Sequence, residues 1–226
     1  VDRLYNFGIA NPVISSIKGE PKPKIPHPND DNWNGLSLPW MTYGYGVNMT
    51  PLQILTFYNA IANEGEVVKP KFIHSTRKFG TNDNKIYPKQ ILNKSIFSIN
   101  TNKVLKKMLY DVVHHENGTA KNIKSKHLKL SGKTGTAQVD YAKDSINYIS
   151  SFVGYFPSDE PKYSCIIVIN KPNKTKGYYG NTVAAPVFKR IAEKIFSKYP
   201  KVEKYNLHEL NKNIKLSKIQ IKNRSN

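Results

Sequence analysis

Apolar residues in this chain recur with a helical period in three places and form strand-like runs in three others. Thr50 followed by Pro51 marks an N-cap and a first helical position. "TPLQILTFYNAIANEG" then sets Leu52, Leu55, Phe57, Ala60 and Ile61 largely at helical spacing before Gly65, so a helix is expected over 50–65. A second helix is expected over about 102–116, where Val104, Met108 and Val112 join Leu105 and Leu109 in one stripe that ends at "ENG". A third, over about 182–199, offers Val183, Val187, Phe188, Ile191, Ala192 and Ile195 as a face to lie against a sheet. Between the second and third lie "LKLSGKTGTAQ", "YISSFVGYFP" and "YSCIIVIN", and the last is apolar enough to be expected as a central strand. Helices around three antiparallel strands imply a sheet covered by helices.

The remainder is less regular. Residues 1–40 read as a long loop, because "GEPKPKIPHPND" holds too many prolines for a helix or a central strand, and Trp33 and Trp40 are expected to anchor it. "VVKPKFI" reads as extended and "TRKFGTNDNKIYPKQIL" as a turn flanked by short strands. Residues 201–226 have weak periodicity and no caps, and are expected to be a solvated, disordered basic tail separate from a domain over 1–200. No run approaches the roughly 18 apolar residues of a membrane span. The opening "VDRLYNFG" has no initiator Met and no signal region, and is expected to begin a piece of something longer.

Composition changes this picture in one respect. With 226 residues and 38% hydrophobic content the chain can bury a domain core, but 35 Lys and Arg against 16 Asp and Glu give a formal charge of +19. Such a balance suits a polyanionic partner. Only Arg3, Arg77, Arg190 and Arg224 are arginine, however, and the lysines are dispersed among asparagines, which argues against a dedicated nucleic-acid binder. The single cysteine, Cys165, lies in an apolar run and reads as a buried thiol.

The candidate chemistry centres on Lys133-Thr134-Gly135 in "LSGKTGTAQVD". A phosphate-binding loop would need glycine at 127, where His127 stands, and would open a helix that "TAQVDYAKDSINY" does not encode. The structural alternative is a glycine-containing strand whose lysine and threonines face solvent. The functional one is the lysine-threonine-glycine element of penicillin-interacting serine enzymes. There a cation and hydroxyls on one strand edge hold a terminal carboxylate, and Gly135 leaves room for the substrate backbone. His114 and His115 are adjacent and cannot share a helix face, so they read as no metal site, and Asp30, Asp31 and Asp140 make no catalytic carboxylate pair.

Four ordered motifs extend the match along the chain. "YGYGVNMTPLQILTFYNAIANEGEVVKPKFI", "ENGTAKNI...LSGKTGTAQ", "YISSFVGYFPSDEPKYSCIIVI" and "YYGNTVAAPVFKRIAEKI" together resemble the transpeptidase domain of class B penicillin-binding proteins of the septal, cell-division type, over residues 2–198. The resemblance implies an α/β fold of the α+β kind, a β-lactamase/transpeptidase-like antiparallel sheet covered by helices, here as a partial domain. It implies Lys133, Thr134 and Gly135 as catalytic-site residues and Thr134 and Thr136 as substrate-binding residues, with the Thr136 backbone N–H as one arm of an oxyanion hole. Tyr178, Tyr179 and Gly180 would border the groove. Neither metal nor cofactor is implied. The implied partners are peptidoglycan stem peptides, β-lactams and, through the parent protein, division proteins, at the periplasmic face of an inner membrane reached by an N-terminal anchor outside this sequence.

In that family the nucleophilic Ser-x-x-Lys and the Ser-x-Asn motif precede the region matching "YNFG". The chain's own "SSIK" (Ser15 to Lys18) and "STRK" (Ser75 to Lys78) read as chance matches, since neither serine opens a helix, and "SIN" at Ser98 and Ser145 falls in the wrong parts of the match. The chain is therefore expected to be the back half of an active site and inactive alone. Two other readings stay open: a non-catalytic scaffold fragment, and a basic binder of anionic polymer. The 129–138 stretch is expected in the middle of the sheet, with strands at about 150–156 and 163–170 beside it.

Overall fold

Residues 147–156 carry the sheet because their two faces meet different layers of helix. In the computed structural model, which describes residues 1–13, 19–80, 83–140 and 146–198, three antiparallel strands β5 (Ser131–Val139), β6 (Asn147–Phe156) and β7 (Tyr163–Asn170) lie in that order. Register runs from Ser131 opposite Tyr155 to Val139 opposite Asn147, and from Ile149 opposite Asn170 to Phe156 opposite Tyr163. Tyr155 on one face joins Ile61, Ala62 and Leu109 from α3 (Pro51–Ala62) and α4 (Ile99–His114). Phe152 and Phe156 on the other face meet Phe188 of α6 (Ala185–Lys198) edge-on, with ring centroids 4.8 and 5.6 Å apart. Each such aromatic removes enough apolar surface from water to contribute about 2 kcal/mol.

Two sequence expectations are corrected here. The central strand is β6, not the more apolar β7 and not the lysine-threonine-glycine strand, which among the described residues pairs with β6 alone. Close packing decides this. A side chain on Gly154 would put its first carbon 2.1 Å from the Ser131 carbonyl oxygen, so β6 lets β5 approach, and its last residues are buried on both faces. In α4 the buried stripe is Asn102, Leu109 and Val113, with Leu105 half-buried against the cluster that holds Ile61, Ala62 and Tyr155. Val104 and Met108 face solvent, because the helix rests on its 105–109–113 row.

The helix boundaries follow their caps. The Thr50 hydroxyl accepts from the Gln53 N–H at 3.2 Å while the Gln53 side chain accepts from the Thr50 N–H at 2.8 Å, so α3 opens on a complete capping box. It ends at Ala62 rather than Gly65, because Glu64 and Gly65 both take positive φ and the Gly65 N–H folds back to the Ala60 carbonyl. Ser98 caps α4 through the Thr101 N–H, four residues before the expected start. Short helices α1 (Asp2–Asn6) and α2 (Ser37–Thr42) interrupt the region expected to be wholly irregular, although residues 19–30 contain no helix. Gln53 ties that region down by donating to Glu20 and to the Pro21 carbonyl. Trp40 is half-exposed and meets Tyr45 edge-on.

A two-stranded sheet joins β1 (Val67–Val68) to β4 (Ile91–Asn93), and the expected hairpin appears as β2 (Ser75–Arg77) with β3 (Asn84–Ile86). Helix α5 (Gly180–Val183) precedes α6. The chain divides into two units, Val1–Ile191 and Ala192–Asn226, the second described only as far as Lys198, where it is helical. The expected tail over 201–226, the Ser15 to Lys18 motif and Ser145 lie outside the described residues. Among the described residues no helix is long and apolar enough to cross a membrane.

Candidate active-site edge

The chemistry of β5 follows from which way its backbone points. In an antiparallel strand the N–H and C=O of one residue lie on the same side, and successive residues alternate. The Gln138 N–H reaches away from β6 to the Tyr45 hydroxyl at 3.3 Å, and the Thr134 carbonyl accepts from the Lys133 ammonium at 2.8 Å. Both observations put residues 134, 136 and 138 on the unpaired side. The Thr136 N–H therefore points into the free edge, between the Tyr45 hydroxyl at one end and Thr134 at the other.

Three separate segments converge on this edge. The turn Gly118-Thr119-Ala120 follows α4 and is pressed onto the helix end: the Ala120 N–H donates to the Val112 carbonyl at 2.9 Å, and a side chain at Gly118 would strike the carbonyls of Asp111 and Val112 at 2.5 Å. That turn holds the Thr119 hydroxyl 3.3 Å from the Thr134 hydroxyl. From the loop before α5, the Gly180 N–H donates to the Thr136 hydroxyl at 3.0 Å, and the Ser150 hydroxyl donates to the Tyr178 carbonyl. Tyr45, held edge-on by Trp40 at 5.2 Å, closes the third side.

Alternation places the Lys133 side chain on the opposite face of β5 from Thr134 and Thr136, so the cation and the hydroxyls reach the edge from two sides. Lys133 keeps an exposed surface, yet the protein around it desolvates the ammonium and lowers its pKa from the ordinary lysine value. The space a Gly135 side chain would take is filled by the Ser151 hydroxyl, 2.5 Å away, and Gly180 lies against the Gly135 backbone. Gly135 thus sits between the Ser151 hydroxyl of β6 and the Gly180 loop that rests on its backbone.

Of the other candidates, Tyr178 stacks on Tyr148 with centroids 4.1 Å apart and on Tyr179 at 4.4 Å, so it packs the loop while Tyr179 stays exposed. The Tyr178 hydroxyl donates to that of Tyr179 at 3.2 Å. His114 stacks on Tyr110 and sets its Nε2 3.1 Å from the Leu130 carbonyl, at the entry to β5. Ser75 is exposed on the β2–β3 hairpin, a sheet separate from β5. Asp140 pairs with Lys171 at 3.1 Å. Thr119 and Tyr45, missed as site residues in the sequence, left only a faint signal there: each sits in a glycine-flanked motif, "NGTA" and "GYG".

The β5 edge, offering a cation, two hydroxyls and an outward N–H, lies on a helix-covered antiparallel sheet of the transpeptidase, β-lactamase-like kind. The chain belongs to the penicillin binding protein transpeptidase domain family, whose model matches residues 3–193. It is 35% identical over 198 residues to the peptidoglycan D,D-transpeptidase FtsI of Buchnera aphidicola subsp. Baizongia pistaciae, covering 86% of this chain and 32% of that one. To FtsI of Escherichia coli K12 it is 28% identical over 193 residues, 84% of this chain and 30% of the relative. The crystal structure of apo penicillin-binding protein 3 from Mycobacterium tuberculosis superposes with a TM-score of 0.74 at 28% identity, covering 87% of this chain and 45% of that one. The same protein has been solved in complex with ampicillin. The chain spans about a third of the length of these curated relatives.

Proposed function

We propose that this chain is the later part of the acyl-transfer domain of a septal peptidoglycan D,D-transpeptidase, and that the edge from Lys133 to Thr136 holds the acyl donor. The observation that carries the reading is the outward direction of the Thr136 N–H, inferred from the Gln138–Tyr45 and Lys133–Thr134 contacts. A donor stem peptide ends in a D-alanine carboxylate. Lys133 supplies positive charge to it, and the Thr134 and Thr136 hydroxyls donate to it. The serine of a Ser-x-x-Lys motif outside this sequence attacks the preceding carbonyl. As that oxygen becomes an oxyanion, the Thr136 N–H donates to it, D-alanine leaves, and an amine of a neighbouring strand takes the acyl group. A β-lactam enters by the same edge as a mimic of the donor. In this reading the parent protein works at the periplasmic face of the inner membrane beside other division proteins.

Proline separates the N–H from the hydroxyl. An edge strand tolerates proline where its N–H points outward. In the longer protein, Thr136→Pro should slow acylation by a fluorescent penicillin by about a hundredfold or more, as loss of an oxyanion donor does. Thr136→Val, which keeps the N–H, should slow it far less. Equal rates for the two variants would contradict the assignment.

A further inference from the structure

Two adjoining grooves lie at the β7 side of the sheet, away from the β5 edge. The first, about 320 Å³, is ringed by Lys69, Lys71, Lys89 and Lys162 and floored in part by Asn63 and Tyr163. The second, about 260 Å³, shares Lys69 and Lys71 and is walled by Phe72, Ile73 and Tyr87. Among the described residues, none that lines either groove is acidic. Lys89 pairs with Glu66 and Lys162 with Glu160, both acids standing outside the lining, while Lys71 donates to the Tyr87 carbonyl at 2.9 Å, on the wall between the grooves. Phe72 and Ile73 remain 55% and 50% exposed.

Charge and shape together select the occupant. Ringed by lysines on a chain of net charge +19, the first groove calls for anionic groups; the second calls for an apolar one directly beside them. A mineral polyanion would use the lysines and leave Phe72 and Ile73 wet. A bilayer is too flat to fill a concave site. We propose that this double groove docks a partner protein through a linear segment in which consecutive acidic residues are followed by a large apolar side chain. The carboxylates lie among the four lysines, exchanging with Glu66 and Glu160, and the apolar residue covers Phe72, Ile73 and Tyr87. This surface is independent of the acyl-transfer reading.

The test is fluorescence anisotropy on the whole chain with a labelled Glu-Glu-Asp-Glu-Phe-Leu peptide and a comparator carrying Ser-Ser in place of Phe-Leu. The Phe-Leu peptide should bind more tightly. Lys69→Gln with Lys71→Gln should weaken both peptides roughly tenfold. Phe72→Ser should weaken only the Phe-Leu peptide, by about fivefold, to the level of the comparator. The double variant Lys103→Gln with Lys107→Gln on α4 should bind as the parent does. Equal affinity for the two peptides, or equal loss in the α4 variant, would overturn the proposal. So would displacement of the peptide by inorganic polyphosphate or phosphatidylglycerol vesicles at lower concentration than by unlabelled peptide.

Discussion

Gly180 sits where a methyl group would lie 2.4 Å from the Ser151 carbonyl oxygen and 2.5 Å from that of Gly135, both backbone atoms that cannot swing away. Gly180→Ala should therefore push the loop off β5 and destabilise the chain by about 1–3 kcal/mol, read as a lower denaturant midpoint; an unchanged midpoint would mean that the loop does not rest on the strand. His114 gives a pH signature. Burial is the main reason its pKa lies below the ordinary 6.5, with the Leu130 carbonyl opposing. A base depressed in the folded state takes its proton first when unfolded, so stability should fall as pH drops through about 6.5 and level off below the folded value. Denaturation at pH 7.5 and about pH 5 should show this component in the parent and lose it in His114→Gln; a component of the opposite sign would contradict the partly desolvated imidazole.

At the scale of elements, α3 was the most legible part of the chain, because its start is written locally in Thr50, Pro51 and Gln53. Thr50→Ala removes the hydroxyl half of the capping box and should cost about 1 kcal/mol, with Thr50→Ser recovering most of it in the same denaturation series. What was not legible is what depends on distant partners. The run "YSCIIVIN" is more apolar than β6, but Gly154 and the aromatic faces of β6 decide which strand is central, and these act through Ser131, Phe188 and Tyr155. Val104 and Met108 share a helical period with Leu105 and Leu109, and only the packing of α4 on Tyr155 shows which row is buried. Lys133, Thr134, Gly135 and Thr136 stand in one short motif, so their placement together on one strand was readable. Thr119 and Tyr45 reach the same edge from 15 and 93 residues away, for which local pattern holds only the faint signal of flanking glycines, whereas Gly180, 44 residues away, was placed beside the groove by the family resemblance alone.

Over the whole molecule, 35 basic against 16 acidic side chains make self-repulsion a standing cost of the folded state. Raising ionic strength from about 10 mM to 150 mM shortens the screening length from about 30 to 8 Å, so the thermal midpoint should rise; a flat or falling midpoint would show that the charges are balanced locally. In the proposed role this chain provides the binding edge of an acyl-transfer site and not its nucleophile. That division of labour can be read by incubating the purified chain with a fluorescent penicillin, beside a longer protein that carries the Ser-x-x-Lys segment. The longer protein should take a covalent label and the chain alone none. A covalent band on the chain alone that disappears with Ser15→Ala or Ser75→Ala would contradict it.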